Sequence, residues 1–168
     1  VDIATGVIDC IHTTASSHNR IFIVEIMGHK TGWLTLNAGM AGGADIILIP
    51  EIPYNMESII KKVKDRAERG NGFTIIAVAE GATSKELASM SKKEQKKFIA
   101  SREEPSVSYE IARQITEATG REVRVTVPGH MQRGGTPCPY DRVLSSRLGA
   151  TAAQMIYRGE FGNMVAIE

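Results

Sequence analysis

Three runs, "RIFIVEIM" (20–27), "DIILIPE" (45–51) and "FTIIAVAE" (73–80), are almost continuously apolar and rich in β-branched residues. Strands with one face in water alternate apolar and polar residues; strands buried on both faces do not, and these read as buried strands. The stretches between them have helical spacing. "GWLTLNAGMAGGA" (32–44) reads as a helix ending in glycines. "NMESIIKKVKDRAERG" (55–70) has Asn55 as N-cap, an apolar stripe of Ile59, Ile60, Val63 and Ala67, and Gly70 to close it. A further helix is expected over "PSVSYEIARQITEATG" (105–120), with Val107, Ile111, Ile115 and Ala118 on one face. "EVRVTVP" (122–128) alternates, placing Arg124 opposite Val123, Val125 and Val127, and "YDRVLSSRLGATAAQMIYRG" (140–159) reads as a final long helix. Buried strands separated by helices predict an α/β fold with a mainly parallel sheet between helices, in three layers.

Length and charge narrow the function classes. A chain of 168 residues suits one domain or one lobe of something larger. The net charge of +1 gives no general attraction to nucleic acid or anionic membrane, so any anion site must be a local cluster. No apolar run is long enough to span a bilayer, and there is no charged-then-apolar leader at Val1. Cys10 and Cys138 have neither metal-ligand spacing nor the makings of a disulfide framework, and a cytoplasmic location is expected. The start, "VDIATGVIDC", lacks Met and is amphipathic in appearance, as in a segment of a longer protein. The lysine-rich stretch within 83–104 reads as a solvated helical insertion rather than a nucleic-acid surface.

In parallel α/β sheets ligands gather beyond the carboxyl ends of the strands. That rule selects four loops, at 27–30, 50–54, 80–82 and 128–136. In "GHMQRGGTP" (129–137), His130 and Arg133 follow a strand directly. Arginine offers a rigid fork of donors suited to phosphate, histidine adds another, and Gly134 and Gly135 allow close approach of the backbone. The same residues equally fit a tight turn with its charges in water. Glu80, at the end of its strand, could accept hydrogen bonds from sugar hydroxyls with Gly81 making room, or could simply cap a helix. "EIMGHKTG" (25–32) ends the first strand in Gly28, His29 and Lys30, which also suits a surface turn. "GMAGGAD" is not a phosphate loop, because its glycines end a helix and lead into a strand; they suit a tight turn and close helix–sheet packing. His18 reads as a structural histidine.

Together, "TTASSHNR", "EIMGHKTGWLTLNAGMAGGADIILIPE", "VAEG" and "REVRVTVPGHMQRGGTPCPYDRVLSSRLGA" resemble the phosphofructokinase family, in the family's order and over nearly the whole chain outside 83–104. The resemblance implies the sugar-phosphate-binding, C-terminal portion of a two-lobed subunit that transfers a phosphoryl group to the 1-hydroxyl of fructose 6-phosphate in glycolysis. His130 and Arg133 would then bind the 6-phosphate, Glu80 the sugar hydroxyls, and Met27 and Gly28 would line the pocket, with His29 standing where members often carry arginine. Arg20 and Arg124 would reach into a neighbouring subunit's site, so a homo-oligomer, tetramer or dimer, is implied. The donor, ATP or pyrophosphate, the Mg²⁺ and the catalytic aspartate would belong to a half upstream of Val1, leaving this chain without activity by itself. A non-catalytic sugar-phosphate-sensing half is the alternative. Asn71, Gly72 and His12 stand where regulated members carry basic effector residues, so strong control by nucleoside diphosphate or phosphoenolpyruvate is not expected.

Overall fold

A computed structural model describes residues 1–167. The elements run α1 (Asp2–His18), β1 (Ile21–Ile26), α2 (Trp33–Ala41), β2 (Ile46–Leu48), α3 (Met56–Glu68), β3 (Thr74–Ala79), α4 (Lys85–Ser89), α5 (Lys92–Ala100), α6 (Val107–Thr119), β4 (Val123–Thr126), a 3-10 helix (Gly129–Arg133) and α7 (Pro139–Tyr157). The chain divides into two compact units, Val1–Arg133 and Gly134–Glu168. The first contains the sheet, whose four strands are all parallel in the order β2-β3-β1-β4. The second contains α7, none of whose residues is buried.

The apolar runs are explained by what covers each face of the sheet. Ile21 and Ile23 of β1, with Ile76 and Val78 of β3, pack with Ile59 and Val63 of α3 and Val107, Ile111 and Ile115 of α6. The intervening residues, Phe22, Val24 and Ile26 with Ile75 and Ala77, pack on the other side with Ala4, Ile8 and Ala15 of α1 and Ala38 of α2. β1 and β3 are therefore central strands buried on both faces, and the three-layer α/β fold expected from the sequence is the fold observed.

The edges of the sheet account for the departures. The run 45–51 yields only the three-residue β2, which is an edge strand with just Leu48 fully buried. Its position, with a neighbour on one side only, overrides the uniformly apolar sequence. β4 is the other edge, shorter than 122–128, and Val127 beyond its end is 46% exposed. Ala67 and Ala118, expected on buried stripes, are exposed, because each lies in its helix's last turn, past the sheet's cover. The opening segment forms the 17-residue α1. The 83–104 stretch folds into α4 and α5; α5 is solvated throughout, whereas α4 buries Leu87.

Local signals are largely obeyed. The Asn55 side chain accepts from the Ser58 backbone N–H at 2.8 Å, and Gly70 follows α3 at φ 84. The glycines at the end of α2 serve packing: a Cβ on Gly39, in its last turn, would sit 2.9 Å from Ile47 Cδ1, and one on Gly42, its C-cap, would sit 2.7 Å from Ile8 Cγ2. Asp45 ties β2 to its surroundings, its carboxylate accepting from Ile75 N at 2.9 Å and pairing with Arg66 at 2.8 Å.

Burial, assisted by the Glu110 carboxylate, pushes the Tyr54 phenol up to about 12. An unfolded tyrosine ionises near pH 10, so between pH 10 and 12 the folded chain holds a proton that the unfolded chain releases. Tyr54 thus contributes stability that is complete below pH 10 and lost as pH rises toward 12. Denaturant titrations across that window should show a shallower alkaline loss for Tyr54→Phe than for the unsubstituted protein.

Candidate functional site

The loops selected from the sequence share the carboxyl edge of the sheet. Tyr54 of the 50–54 loop bridges to Ser84, with Tyr54 N donating to Thr83 O at 3.0 Å and Lys85 N to Tyr54 O at 2.9 Å. Glu51 reaches the start of α2, where its carboxylate accepts from Gly32 N at 2.8 and 3.1 Å. The ends of β3, β1 and β4 lie side by side in that order, so Glu80, the Met27–His29 turn and the His130–Arg133 turn form one row. With strands about 4.8 Å apart, the row from β3 to β4 is about 10 Å wide.

Glu80 organises the middle of the row. Its Oε1 accepts from Gly28 N at 3.1 Å and from His29 N at 2.6 Å, holding a turn in which His29 has a φ of 53. A non-glycine residue in that left-handed region is strained, and the Glu80 bonds offset the strain. Gly28 is required because a Cβ there would lie 2.3 Å from Thr31 O; Thr31 N donates back to Gly28 O at 3.0 Å. Gly81 is required more strictly, since its Cβ would lie 1.9 Å from the His29 carbonyl oxygen. The sequence reading has Gly81 making room beside Glu80 for a sugar; in the structure the group that approaches Gly81 is the neighbouring loop's backbone. Glu80 makes no helix cap.

β4 leads through Pro128 into the 3-10 helix Gly129–Arg133, with Gly129 at φ 56. A 3-10 helix has three residues per turn, so His130 and Arg133 project on one side. Both are exposed, and neither hydrogen-bonds a protein group among the described residues. Gln132, between them, is partly buried; it accepts from Met27 N at 3.2 Å and donates to Gly129 O at 3.1 Å. Sequence reading passed over Gln132, and only its place inside "GHMQRGG" could have flagged it.

Arg20 and Arg124 do not join this row. Arg20 immediately precedes β1, and Arg124 pairs in register with Phe22, so both lie at the amino ends of their strands. At about 3.3 Å per residue, Arg20 is about 20 Å along β1 from Met27. Both guanidiniums meet Glu122, Arg20 at 2.6 Å and Arg124 at its other oxygen. The eight candidate residues therefore form two groups at opposite ends of the sheet: Met27, Gly28, His29, Glu80, His130 and Arg133 at one, Arg20 and Arg124 at the other. His18 is exposed at the end of α1. His12 Nε2 donates to Gly42 O at 2.7 Å, and the ring packs edge-on against Phe73. Arg121 is held by the carbonyls of Asn19 and Gly72.

Among the described residues no three of His, Cys, Asp or Glu come together to hold a metal ion. The carboxylates at the carboxyl edge, Glu80 and Glu51, are already engaged by backbone N–H groups, so these residues do not fit a resident Mg²⁺. No helix among them is long and apolar enough to cross a membrane, and Cys10 and Cys138 are free thiols.

The first unit is thus an all-parallel α/β sheet with a turn bearing two exposed cationic side chains beyond one strand. The comparisons with known proteins resolve the class: the phosphofructokinase family model matches residues 1–156, and the chain belongs to that family. It is 56% identical over 167 residues to the ATP-dependent 6-phosphofructokinase of Spirochaeta thermophila, covering 99% of this chain and 46% of that protein. To the ATP-dependent 6-phosphofructokinase of Chloroflexus aurantiacus it is 48% identical, covering 99% and 45%. The chain thus spans a little under half the length of these relatives. The phosphofructokinase structure from Saccharomyces cerevisiae superposes with a TM-score of 0.74 at 33% identity, over 91% of this chain and 19% of that one. The pyrophosphate-dependent phosphofructokinase from Nitrosospira multiformis gives a TM-score of 0.74 at 18% identity, over 94% and 38%, a likeness of fold alone.

Proposed function

We propose that residues 1–168 form the sugar-phosphate-binding, C-terminal portion of a 6-phosphofructokinase subunit, holding fructose 6-phosphate while its 1-hydroxyl receives a phosphoryl group. The observation that carries this reading is the pair His130 and Arg133, on one side of the 3-10 helix beyond β4, their side chains without a protein partner among the described residues, in a chain of the phosphofructokinase family. A phosphate placed there meets two donors, one of them a guanidinium fork. Glu80, Met27 and Gly28 lie toward the sugar. Both bonds to Glu80 fall on Oε1, so Oε2 remains available to a hydroxyl.

The chemistry asked of these residues is positioning. They hold the acceptor by its far phosphate and orient the reacting hydroxyl, using binding energy remote from the reaction. The donor, Mg²⁺ and catalytic base belong to the remainder of the subunit, where Mg²⁺ would neutralise phosphate charge. The relatives at 56% and 48% identity are named ATP-dependent, which favours ATP as donor. Arg20 and Arg124 are too far along the sheet to touch the same phosphate as Arg133; their place at the opposite end fits a role toward a neighbouring subunit in a cytoplasmic homo-oligomer.

Assaying the full-length protein with fructose 6-phosphate and either ATP or pyrophosphate tests the assignment. Turnover with ATP alone is expected. Turnover with pyrophosphate alone would overturn the donor assignment, and no turnover despite fructose 6-phosphate binding would mean a sugar-phosphate-sensing half instead.

A further inference from the structure

We propose that Gln132 is the positioning residue of the phosphate-binding turn, tying the segment that bears His130 and Arg133 to the end of β1. The proposal rests on the reading of that turn as the sugar-phosphate site. It begins with a donor in need of a partner: β1 ends at Ile26, and the next backbone N–H, that of Met27, lies beyond the last rung of the sheet. Its acceptor is Gln132 Oε1, at 3.2 Å and 105 residues away in the chain. The same amide donates through Nε2 to Gly129 O at 3.1 Å, across the first turn of the 3-10 helix. One side chain therefore joins the first residue after β1 to the first residue of the 3-10 helix.

The geometry of the 3-10 helix makes Gln132 the residue suited to this. His130 and Arg133, three apart, share a side, which leaves Gln132 to point back toward the sheet. Gly129 has a φ of 56 with open space around it, and Met131 is 71% exposed. Without the amide, the donors on this turn would sample orientations that the phosphate must then select, and that ordering cost appears as weaker binding.

Gln132 also links the two halves of the row. Met27 is followed by Gly28 and His29, whose N–H groups are held by Glu80. A continuous set of bonds therefore runs Gly129–Gln132–Met27 and then, through the chain, to Glu80 just beyond β3. The spacing between the phosphate donors and the sugar-facing carboxylate is fixed by this set, so losing Gln132 should weaken recognition of the sugar phosphate specifically.

The test uses the full-length protein with Gln132→Met, which keeps the volume and removes both bonds, and Gln132→Asn, which keeps the amide on an arm one methylene too short to make both. Each should raise KM for fructose 6-phosphate on the order of tenfold, leave KM for the phosphoryl donor within twofold, and keep the melting temperature close to that of the unsubstituted protein. Combined with Arg133→Ala, Gln132→Met should add little further loss, because it acts through the residues on that turn. A KM for fructose 6-phosphate unchanged in either variant would overturn the proposal. So would equal rises for both substrates, or a full additive loss on top of Arg133→Ala. If the unsubstituted protein itself fails to bind fructose 6-phosphate, the underlying reading of the site falls instead.

Discussion

Replacing Gly81 with alanine is expected to destabilise the protein by about 3 kcal/mol, the upper part of the range for inserting a methyl group where none fits. The added carbon would lie 1.9 Å from the His29 carbonyl oxygen, a backbone atom that cannot rotate out of the way. The turn would have to move as a unit, and the Glu80 bonds to Gly28 N and His29 N would lengthen or break with it. A drop of about 10 °C in Tm should follow for a chain of this length, together with loss of fructose 6-phosphate binding. Gly6→Ala is the matching control. Gly6 lies in α1 with nothing within 4 Å of an added Cβ, so alanine there should be neutral or slightly stabilising. Thermal melts of the two variants separate the effect of close approach from that of losing a glycine. Equal stabilities would contradict the account of the turn.

Arg133→Ala should weaken fructose 6-phosphate binding by about 2 kcal/mol, roughly thirtyfold in Kd, because a charge-assisted bond to phosphate is removed. Stability should hardly change: Arg133 is exposed and makes no ion pair among the described residues. Arg133→Lys should recover only part of the affinity, since a single ammonium cannot reproduce the guanidinium fork. Titration calorimetry on folded variants reads this directly, and an unchanged Kd for Arg133→Ala would remove Arg133 from the site. Binding that falls only when melting temperature also falls would point to a structural role.

How much was legible in advance follows from the physics of each element. β1 and β3 were plain because both faces are buried, and their sequences say so residue by residue. β2 carries the same signature yet forms three residues at an edge, because strand order is a property of the whole sheet that no local window contains. The Asn55 cap and the Gly70 stop were local chemistry and therefore readable. His130 and Arg133 were readable as a pair, since they directly follow a strand and two glycines come at once after them. Their link to Gln132 and Met27 was not, because it depends on a contact across 105 residues. The reading of Glu80 as a ligand group foresaw its position on the row but not its grip on the Gly28–His29 backbone. Arg20 and Arg124 enter through the resemblance alone, as residues directed to a neighbouring subunit's site; the register of β1 with β4 puts them at the sheet's other end.

The central claim is that the carboxyl-edge row holds a sugar by its phosphate. Calorimetric titration of the folded full-length protein with fructose 6-phosphate, with unphosphorylated fructose in parallel, tests it most directly. The account predicts saturable binding of fructose 6-phosphate and none of fructose. Equal binding of the two, or no binding of either, would contradict it.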